Sequence, residues 1–214
     1  MTVQLIDHMG DDLTVVNAAR VSMHKESTSL NEADKKLIHY LAKHNHWTPF
    51  AHVTFQFRIK MPIFVAREWG RSTVGLARNE VSRRYVTETP EVWYPEAWRE
   101  KADNVKQGSG DLLPEEVYKD VDNIYYGFAI MAIEEAYRDM LERGVCPEQA
   151  RAVLPQSMMT EFIETGSLAA YARIYNLRTD PHAQKEIQEY AYAVGREIKK
   201  TCPVSWEALT AGCE

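Results

Sequence analysis

The sequence is poor in the residues and runs that mark several specialised protein classes. Its 214 residues include three cysteines, Cys146, Cys202 and Cys213, which are too few and too widely spaced for a disulfide framework or a paired zinc knuckle. No apolar run approaches the roughly 20 residues of a membrane-spanning helix, so no membrane association is expected. The N-terminus lacks a basic head followed by a long apolar centre, and we therefore expect a cytoplasmic protein.

Signals of the common nucleotide-binding and hydrolytic sites are also missing. The chain has 10 glycines but contains neither GxGxxG nor GxxxxGK[ST], and no nucleophile elbow stands out. His44 and His46 have no HxxxH or CxxC partner, so no metal site is expected. The net charge of −6 argues against sequence-blind nucleic-acid binding, and no nucleic-acid partner is expected.

Positive charge is instead concentrated in one short stretch. Five arginines fall between residues 67 and 84, opposed only by Glu68 and Glu80. Arginine binds phosphate bidentately, and the stretch NEVSRRYV (79–86) adds a hydroxyl and backbone amides to such a site. We interpret it as a phosphate cradle with a sugar contact, on a loop after a helix that ends near Gly70. A solvated, salt-bridged surface is the alternative, since charge runs usually face water.

Residue patterning predicts a single α+β domain spanning residues 1–214, because helical and strand patterns do not alternate regularly. Strict alternation in HVTFQFRIKM (52–61) is typical of a half-buried strand, and TEFIETGS (160–167) is interpreted as a second strand. A loop is expected at 103–114. Helices are expected within 10–23, from a cap at Asn31 to about Asn45, from Pro62 to about Gly70, from Pro114 to about Arg143, from Pro147, from a cap at Ser167 to about Asn176, and at roughly 181–200.

Two further polar clusters follow apolar segments. Arg151 lies in ARAVLPQS (150–157), and Arg178 and His182 lie in NLRTDPHAQ (176–184). A single arginine of this kind is more often structural than ligand-binding. Three polar clusters separated by apolar elements can nevertheless converge in one fold.

The stretch NEVSRRY resembles the second half of a known signature, RHR-x-x-S-x-N-E-x-S-x-R-Y, of the flavin-dependent thymidylate synthases. The resemblance extends over most of the chain and in the family's order. The other segments that resemble the family are 9–22, 37–69, 144–155, 176–191 and 202–209.

The resemblance implies an α+β fold unique to that family, with a central mixed or antiparallel sheet and long helices. It also implies a homotetramer whose active sites are shared between subunits. The implied activity is the flavin-dependent reductive methylation of dUMP to dTMP, with FAD as cofactor, NADPH as reductant and methylenetetrahydrofolate as carbon donor. This chemistry needs no cysteine nucleophile.

Roles for individual residues follow by position from the same resemblance. The residues expected at the nucleotide phosphate are Ser82, Arg83, Arg84 and Arg151. Glu80 is expected beside the sugar. Arg178 is expected to act in catalysis by facing the pyrimidine ring, where its positive charge would stabilise charge developing on the carbonyl oxygens. The residues expected on the flavin or folate side are Ser22, His46, Thr48, Asn79 and His182, with the His46 ring stacked near the flavin.

The chain departs from the family pattern at several of these positions. The Arg-His-Arg triplet that holds the flavin is Arg71-Ser72-Thr73 here, and the spacing to Asn79 is one residue longer. Glu68 stands where a nucleotide-contacting glutamine is common, and Arg173 where an asparagine is common. We expect Glu68 on the substrate side, and Arg71, Ser72, Thr73 and Arg173 on the cofactor side.

Other functions on the same fold stay open because of these departures. One is methylation or hydroxymethylation of a different pyrimidine nucleotide, UMP or dCMP. Another is a non-catalytic nucleotide-binding protein, since a fold alone does not determine activity.

Overall fold

The protein is described by a computed structural model that covers residues 2–103 and 108–212. These residues form a four-stranded sheet and a set of helices. The strands are β1 (Thr2–Met9), β2 (Thr54–Pro62), β3 (Leu76–Glu80) and β4 (Met159–Ser167). The α-helices are α1 (Asp12–Arg20), α2 (Glu32–Lys43), α3 (Ile63–Trp69), α4 (Glu115–Asp120), α5 (Phe128–Glu142), α6 (Pro147–Ala150), α7 (Leu168–Arg178), α8 (Lys185–Thr201) and α9 (Pro203–Thr210). None of these helices is both long and apolar enough to cross a bilayer. Cys213 and part of the loop expected at 103–114 lie outside the described residues.

The sheet has the strand order β1-β2-β4-β3. Backbone hydrogen bonds flanking β4 define its two pairings as antiparallel, because residue numbers rise along one strand as they fall along the other. These bonds run from Leu168 N to Val53 O, from Ile63 N to Met158 O, from Ser167 N to Gly75 O, and from Val81 N to Glu161 O. The predicted α+β class with a mixed or antiparallel sheet is confirmed.

The described chain divides into two compact units. Residues 2–59, 69–79 and 162–212 form the first unit, and residues 60–68, 80–103 and 108–161 form the second. In the first unit, α7 packs against α8 and α9, and α2 packs against α9. In the second unit, α5 packs against α6. The expectation of a single domain stays a prediction.

Strand β2 explains the core of the first unit. Phe55, Phe57 and Ile59 are fully buried, whereas the residues between them are partly or largely exposed. Each buried side chain of this size contributes about 1.5–3 kcal/mol. Burial of every second side chain therefore stabilises the strand, and the strand predicted at 52–61 is confirmed.

Two predicted helix caps have the expected geometry. The Asn31 side chain accepts hydrogen bonds from the backbone of Ala33 and Asp34, and Asp34 completes a capping box. Ser167 caps α7 by accepting from Ala170 N at 3.2 Å. Asn45, where α2 was expected to fail, has a φ of +56°. The side-chain oxygens of Asn31 and Ser167 thus accept hydrogen bonds from backbone amides that have no partner within the helix.

The structure corrects three expectations about local structure. Asn79 and Glu80 belong to strand β3 and not to a loop, and strand β1 was not expected at all. Both lie at sheet edges, and each has only two partly buried positions, Val3 and Leu5 in β1 and Leu76 and Arg78 in β3, which is too short a pattern to predict a strand. The helix expected at 181–200 begins only at Lys185, and α9 follows it. The helix expected from Pro114 is present, with a π-helical segment, Val121–Gly127, between α4 and α5.

A buried ion pair in the first unit gives a test of stability. Asp34 is fully buried, its carboxylate receives the Arg20 guanidinium, and Ser27 Oγ donates to it at 3.1 Å. Burial raises the pKa of Asp34, but hydrogen bonds from Arg20, Asn31 and Ser27 outweigh it and lower the pKa overall. The stabilisation is thus present at neutral pH and lost as pH falls through this lowered pKa.

We expect Asp34→Asn to lower the free energy of unfolding at pH 7 by about 2 kcal/mol, because Arg20 loses its charged partner. The deficit should begin to shrink below about pH 4, where the carboxylate of the unfolded chain becomes protonated, and should vanish only below the lowered pKa of the folded state. Urea unfolding at pH 7 and pH 3.5 measures both. Glu32→Gln, which removes an exposed pair with Lys35, is the control and should change little. A deficit for Asp34→Asn independent of pH would contradict the charge-based explanation.

Candidate functional site

Two of the predicted phosphate-binding arginines meet at one glutamate in the second unit. Arg84 Nε lies 2.9 Å from Glu148 Oε1, and Arg151 Nε donates to the Glu148 backbone carbonyl at 3.1 Å. The Arg84 and Glu148 side chains are 49% and 58% exposed. An ion pair this exposed contributes at most about 1 kcal/mol. An incoming phosphate can therefore displace the glutamate.

A tight turn presents the rest of the NEVSRRYV stretch. The Ser82 carbonyl accepts from Tyr85 N at 3.1 Å and from Val86 N at 3.2 Å. The Ser82 hydroxyl accepts from Arg84 N at 3.3 Å, and the Arg83 guanidinium is held by the carbonyl of Glu88. The hydroxyl of Ser82 thus lies beside the backbone of Arg84, and the phosphate-binding role of this turn stays a prediction.

Glu80 and Glu68 also belong to the second unit. Glu80 Oε1 accepts from the hydroxyl of the buried Thr160 at 2.6 Å. This bond fixes one carboxylate oxygen of an otherwise exposed side chain, which suits a contact with a sugar hydroxyl. Glu68 is half-buried near the end of α3.

The first unit contains a cavity of about 930 Å³. Its lining is largely apolar, and Asn45, His46 and Trp47 lie along one part of it. Of the described residues that line it, Arg173 is the only arginine or lysine, and none is an aspartate or glutamate. This combination fits a flat aromatic ring that carries a negative charge.

Arg173 is hydrogen-bonded to another segment that lines the same cavity. Its Nη2 atom donates to the carbonyl of Val74 at 2.6 Å. Gly75 follows with a φ of +79°, and a Cβ there would lie 3.2 Å from Ala170 Cβ. A residue with a side chain would therefore be strained at this position. Val74, Gly75 and Leu76 line the cavity, so the contact places a permanent cation beside its wall.

The remaining cofactor-side candidates belong to the first unit but do not all meet. Arg71, Ser72 and Thr73 directly precede the cavity wall, and Ser72 N donates to Trp69 O at 3.2 Å. These three residues lie outside the described lining of the cavity, as do Ser22, Thr48, Asn79 and His182. Ser22 Oγ donates to Ala19 O at 3.0 Å. His46 and Arg173 are thus the two cofactor-side candidates that share the cavity.

Arg178 is the last residue of α7, and only 8% of it is exposed. Four residues on, His182 Nδ1 lies 3.0 Å from Asp180 Oδ1. Hydrogen bonds from the backbone and ring of His182 lower the pKa of Asp180. Arg178 is thus a nearly buried cation in the first unit, and its catalytic role stays a prediction.

The sequence reading missed a buried carboxylate, Glu164 in β4. It is fully buried and receives Trp69 Nε1 at 3.0 Å and Arg78 Nε at 2.9 Å. The sequence could have indicated a buried position for Glu164 through the alternation of the strand, because every second residue of β4 from Thr160 onward is buried. A charged residue at an inward position requires partners.

The fold is shared with a solved nucleotide-modifying enzyme. The UMP/dUMP methylase PolB from Streptomyces cacaoi, bound with 5-Br dUMP, matches with a TM-score of 0.89 and 30% identity, covering 98% of this chain and 94% of that chain. The same protein bound with 5-Br UMP matches with a TM-score of 0.87 and 29% identity, over 99% and 94% of the two chains.

Curated relatives match over a similar extent. The flavin-dependent thymidylate synthase of Kosmotoga olearia is 44% identical over 208 residues, which cover 97% of this chain and 89% of that protein. The enzyme of the same name from Thermosipho africanus is 40% identical over 206 residues, or 96% and 89% of the two proteins.

These likenesses define the class of the protein as that of the flavin-dependent thymidylate synthases. More particularly, the family model described as "Thymidylate synthase complementing protein" matches residues 4–204. The chain belongs to that family.

Proposed function

We propose that the protein catalyses the flavin-dependent reductive methylation of dUMP to dTMP. The proposal assigns FAD as cofactor, NADPH as reductant and methylenetetrahydrofolate as carbon donor. The observation that carries it is the likeness to enzymes of this name over nearly the whole chain. The two sites described above support it, because the polar one suits a phosphate and the largely apolar cavity suits a flat, charged ring.

The cavity of the first unit fits a flavin. Its volume of about 930 Å³ is within the range of small-molecule sites, and apolar walls suit the tricyclic ring. His46 would hold the ring by stacking, and Arg173 would hold a negative charge on the ring or on a phosphate. Bound there, a reduced flavin would supply the reducing equivalents.

The side chains of the second unit would hold the nucleotide. Arg84 and Arg151, which meet at Glu148, would bind the phosphate together with the Ser82 hydroxyl. Glu80, with one oxygen fixed by Thr160, would accept a hydrogen bond from the sugar.

Catalysis is assigned to a cation and not to a thiol. Arg178 would stabilise negative charge on the pyrimidine carbonyl oxygens as the ring is activated. Burial raises the pKa of the Cys202 thiol, so this group stays protonated at neutral pH. A Cys202 thiolate nucleophile is therefore not part of the proposal.

The test combines a spectrum with product analysis. The purified protein should take up FAD, and NADPH should bleach its absorbance in a manner that depends on dUMP. Addition of methylenetetrahydrofolate should yield dTMP, identified by mass spectrometry. A protein that takes up no flavin and forms no dTMP would overturn the proposal.

UMP is the second candidate substrate, because the solved relative PolB is described as a UMP/dUMP methylase. Parallel reactions with dUMP, UMP and dCMP distinguish the candidates by the mass of the product. A methylated product from UMP alone would replace dUMP as the substrate. A hydroxymethylated product would instead change the proposed chemistry.

We further infer a homotetramer with active sites shared between subunits. Support comes from the second unit, where large apolar side chains of the helical stretch 115–142 are exposed to between 41% and 69%. These residues are Val117, Ile124, Tyr125, Phe128 and Met131. Exposed apolar patches of this kind commonly mark protein interfaces.

A further inference from the structure

One buried carboxylate, that of Glu164, is hydrogen-bonded to the two residues that flank a segment of the cavity wall. Glu164 accepts from the Trp69 indole N–H at 3.0 Å, and from Arg78 Nε and Nη2 at 2.9 Å and 2.5 Å. Trp69 is the last residue of α3, and Arg78 lies in β3. The eight residues between them, 70–77, form a segment whose two ends meet at one side chain.

Close packing reinforces this arrangement. Trp69 is fully buried, and the Arg78 guanidinium lies 4.2 Å above the centre of the Phe162 ring. A Cβ added at Gly166 would lie only 2.3 Å from Leu76 Cδ2, so β4 leaves no space for the segment to shift inward. The segment is therefore held by a hydrogen bond at its Trp69 end, by an ion pair at its Arg78 end, and by close packing of Leu76 between them.

The held segment carries the residues that matter for the cavity. Val74, Gly75, Leu76 and Ala77 line it, and the Val74 carbonyl accepts from Arg173. Moving the segment would thus move the wall and the hydrogen-bond acceptor of Arg173 together. No described carboxylate lines the cavity itself, so Glu164 acts from behind the wall.

We propose that Glu164 is a positioning residue, which holds segment 70–77 in the conformation that admits a flavin. The inference rests on the proposed function, because it takes the cavity as the flavin site. Glu164 does not touch the ligand. It acts through Trp69 and Arg78, which transmit its position to the wall.

Two variants of graded severity test the proposal. Glu164→Gln keeps the side-chain volume and an acceptor for Trp69 but loses the ion pair with Arg78. Trp69→Phe keeps a buried ring and removes only the indole N–H, so it remains informative if Glu164→Gln does not fold. Ile187→Ala is the matched control, because Ile187 is fully buried in α8 and lies outside the cavity lining.

Two measurements are made on each variant. Hydrogen exchange of the ligand-free protein should show at least tenfold faster exchange of amides in 70–77 for Glu164→Gln. Fluorescence titration should show flavin affinity about tenfold weaker for Glu164→Gln and a few-fold weaker for Trp69→Phe. The affinity for dUMP without flavin should stay unchanged, which a general loss of folding would not allow.

Several outcomes would overturn the proposal. One is wild-type exchange in 70–77 together with wild-type flavin affinity in both variants. Another is an equal loss of flavin affinity in Ile187→Ala, which would make Glu164 an ordinary core residue. If the wild-type protein binds no flavin, the proposed function fails. Hydrogen exchange then still decides whether Glu164 holds the segment.

Discussion

Arg178→Lys is expected to lower kcat for dTMP formation by about 100-fold or more while leaving a folded protein. Removing one preorganised donor to a developing oxyanion has an effect of this order. Lysine keeps the positive charge in a nearly buried position but cannot present two parallel N–H groups to the pyrimidine carbonyl oxygens. Steady-state kinetics with mass-spectrometric detection of dTMP measures the change, and thermal denaturation reports on folding.

The matched control for Arg178→Lys is Arg196→Lys, an equivalent change at an exposed position of α8. It should leave kcat within about twofold, because a surface arginine contributes little. A kcat for Arg178→Lys close to that of the wild type would exclude Arg178 from catalysis. A rise in KM without a fall in kcat would assign it to binding alone.

Arg84→Ala is expected to weaken dUMP binding by about 10- to 100-fold, because a hydrogen bond to a charged group contributes about 1.5–3 kcal/mol. Arg151→Ala should have a similar effect. Glu148→Gln should act in the opposite direction, with binding a few-fold tighter, since the phosphate would no longer displace a carboxylate from Arg84. Calorimetric titration with dUMP measures all three affinities.

Deoxyuridine, which has no phosphate, supplies the internal control for the Arg84 prediction. Its affinity should be the same in the wild-type protein and in all three variants. If Arg84→Ala weakened deoxyuridine and dUMP equally, the arginine would hold the nucleoside or the fold, and the phosphate assignment would be wrong. Raising the salt concentration should reduce the wild-type advantage for dUMP.

The parts of the fold that follow from local rules could be predicted from the sequence. Strand β2 has alternating apolar residues, and α2 and α7 begin at side-chain caps that the sequence displays. Strands β1 and β3 could not be predicted in this way. They lie at the edges of the sheet, and their extended conformation is stabilised by backbone pairing with a strand distant in sequence.

The candidate site likewise has residues that could be predicted from the sequence and residues that could not. Family resemblance identified Arg84 and Arg151, and the structure brings both to Glu148. Glu164 could not be assigned a role, because its partner Arg78 lies 86 residues away in the chain. Local patterns do not report long-range pairs of this kind. Only the inward position of a charged residue in β4 indicated that such a partner was needed.

The π-helical segment at 121–127 determines which way the exposed apolar side chains on either side of it point. A π turn takes up one residue more than a regular α turn. If the same residues were wound as an ordinary α-helix, the extra residue would rotate everything beyond it by about 100°. Phe128 and Met131 would then swing out of line with Val117. One extra residue in this segment thus sets the direction of the apolar surface that we propose for subunit contact.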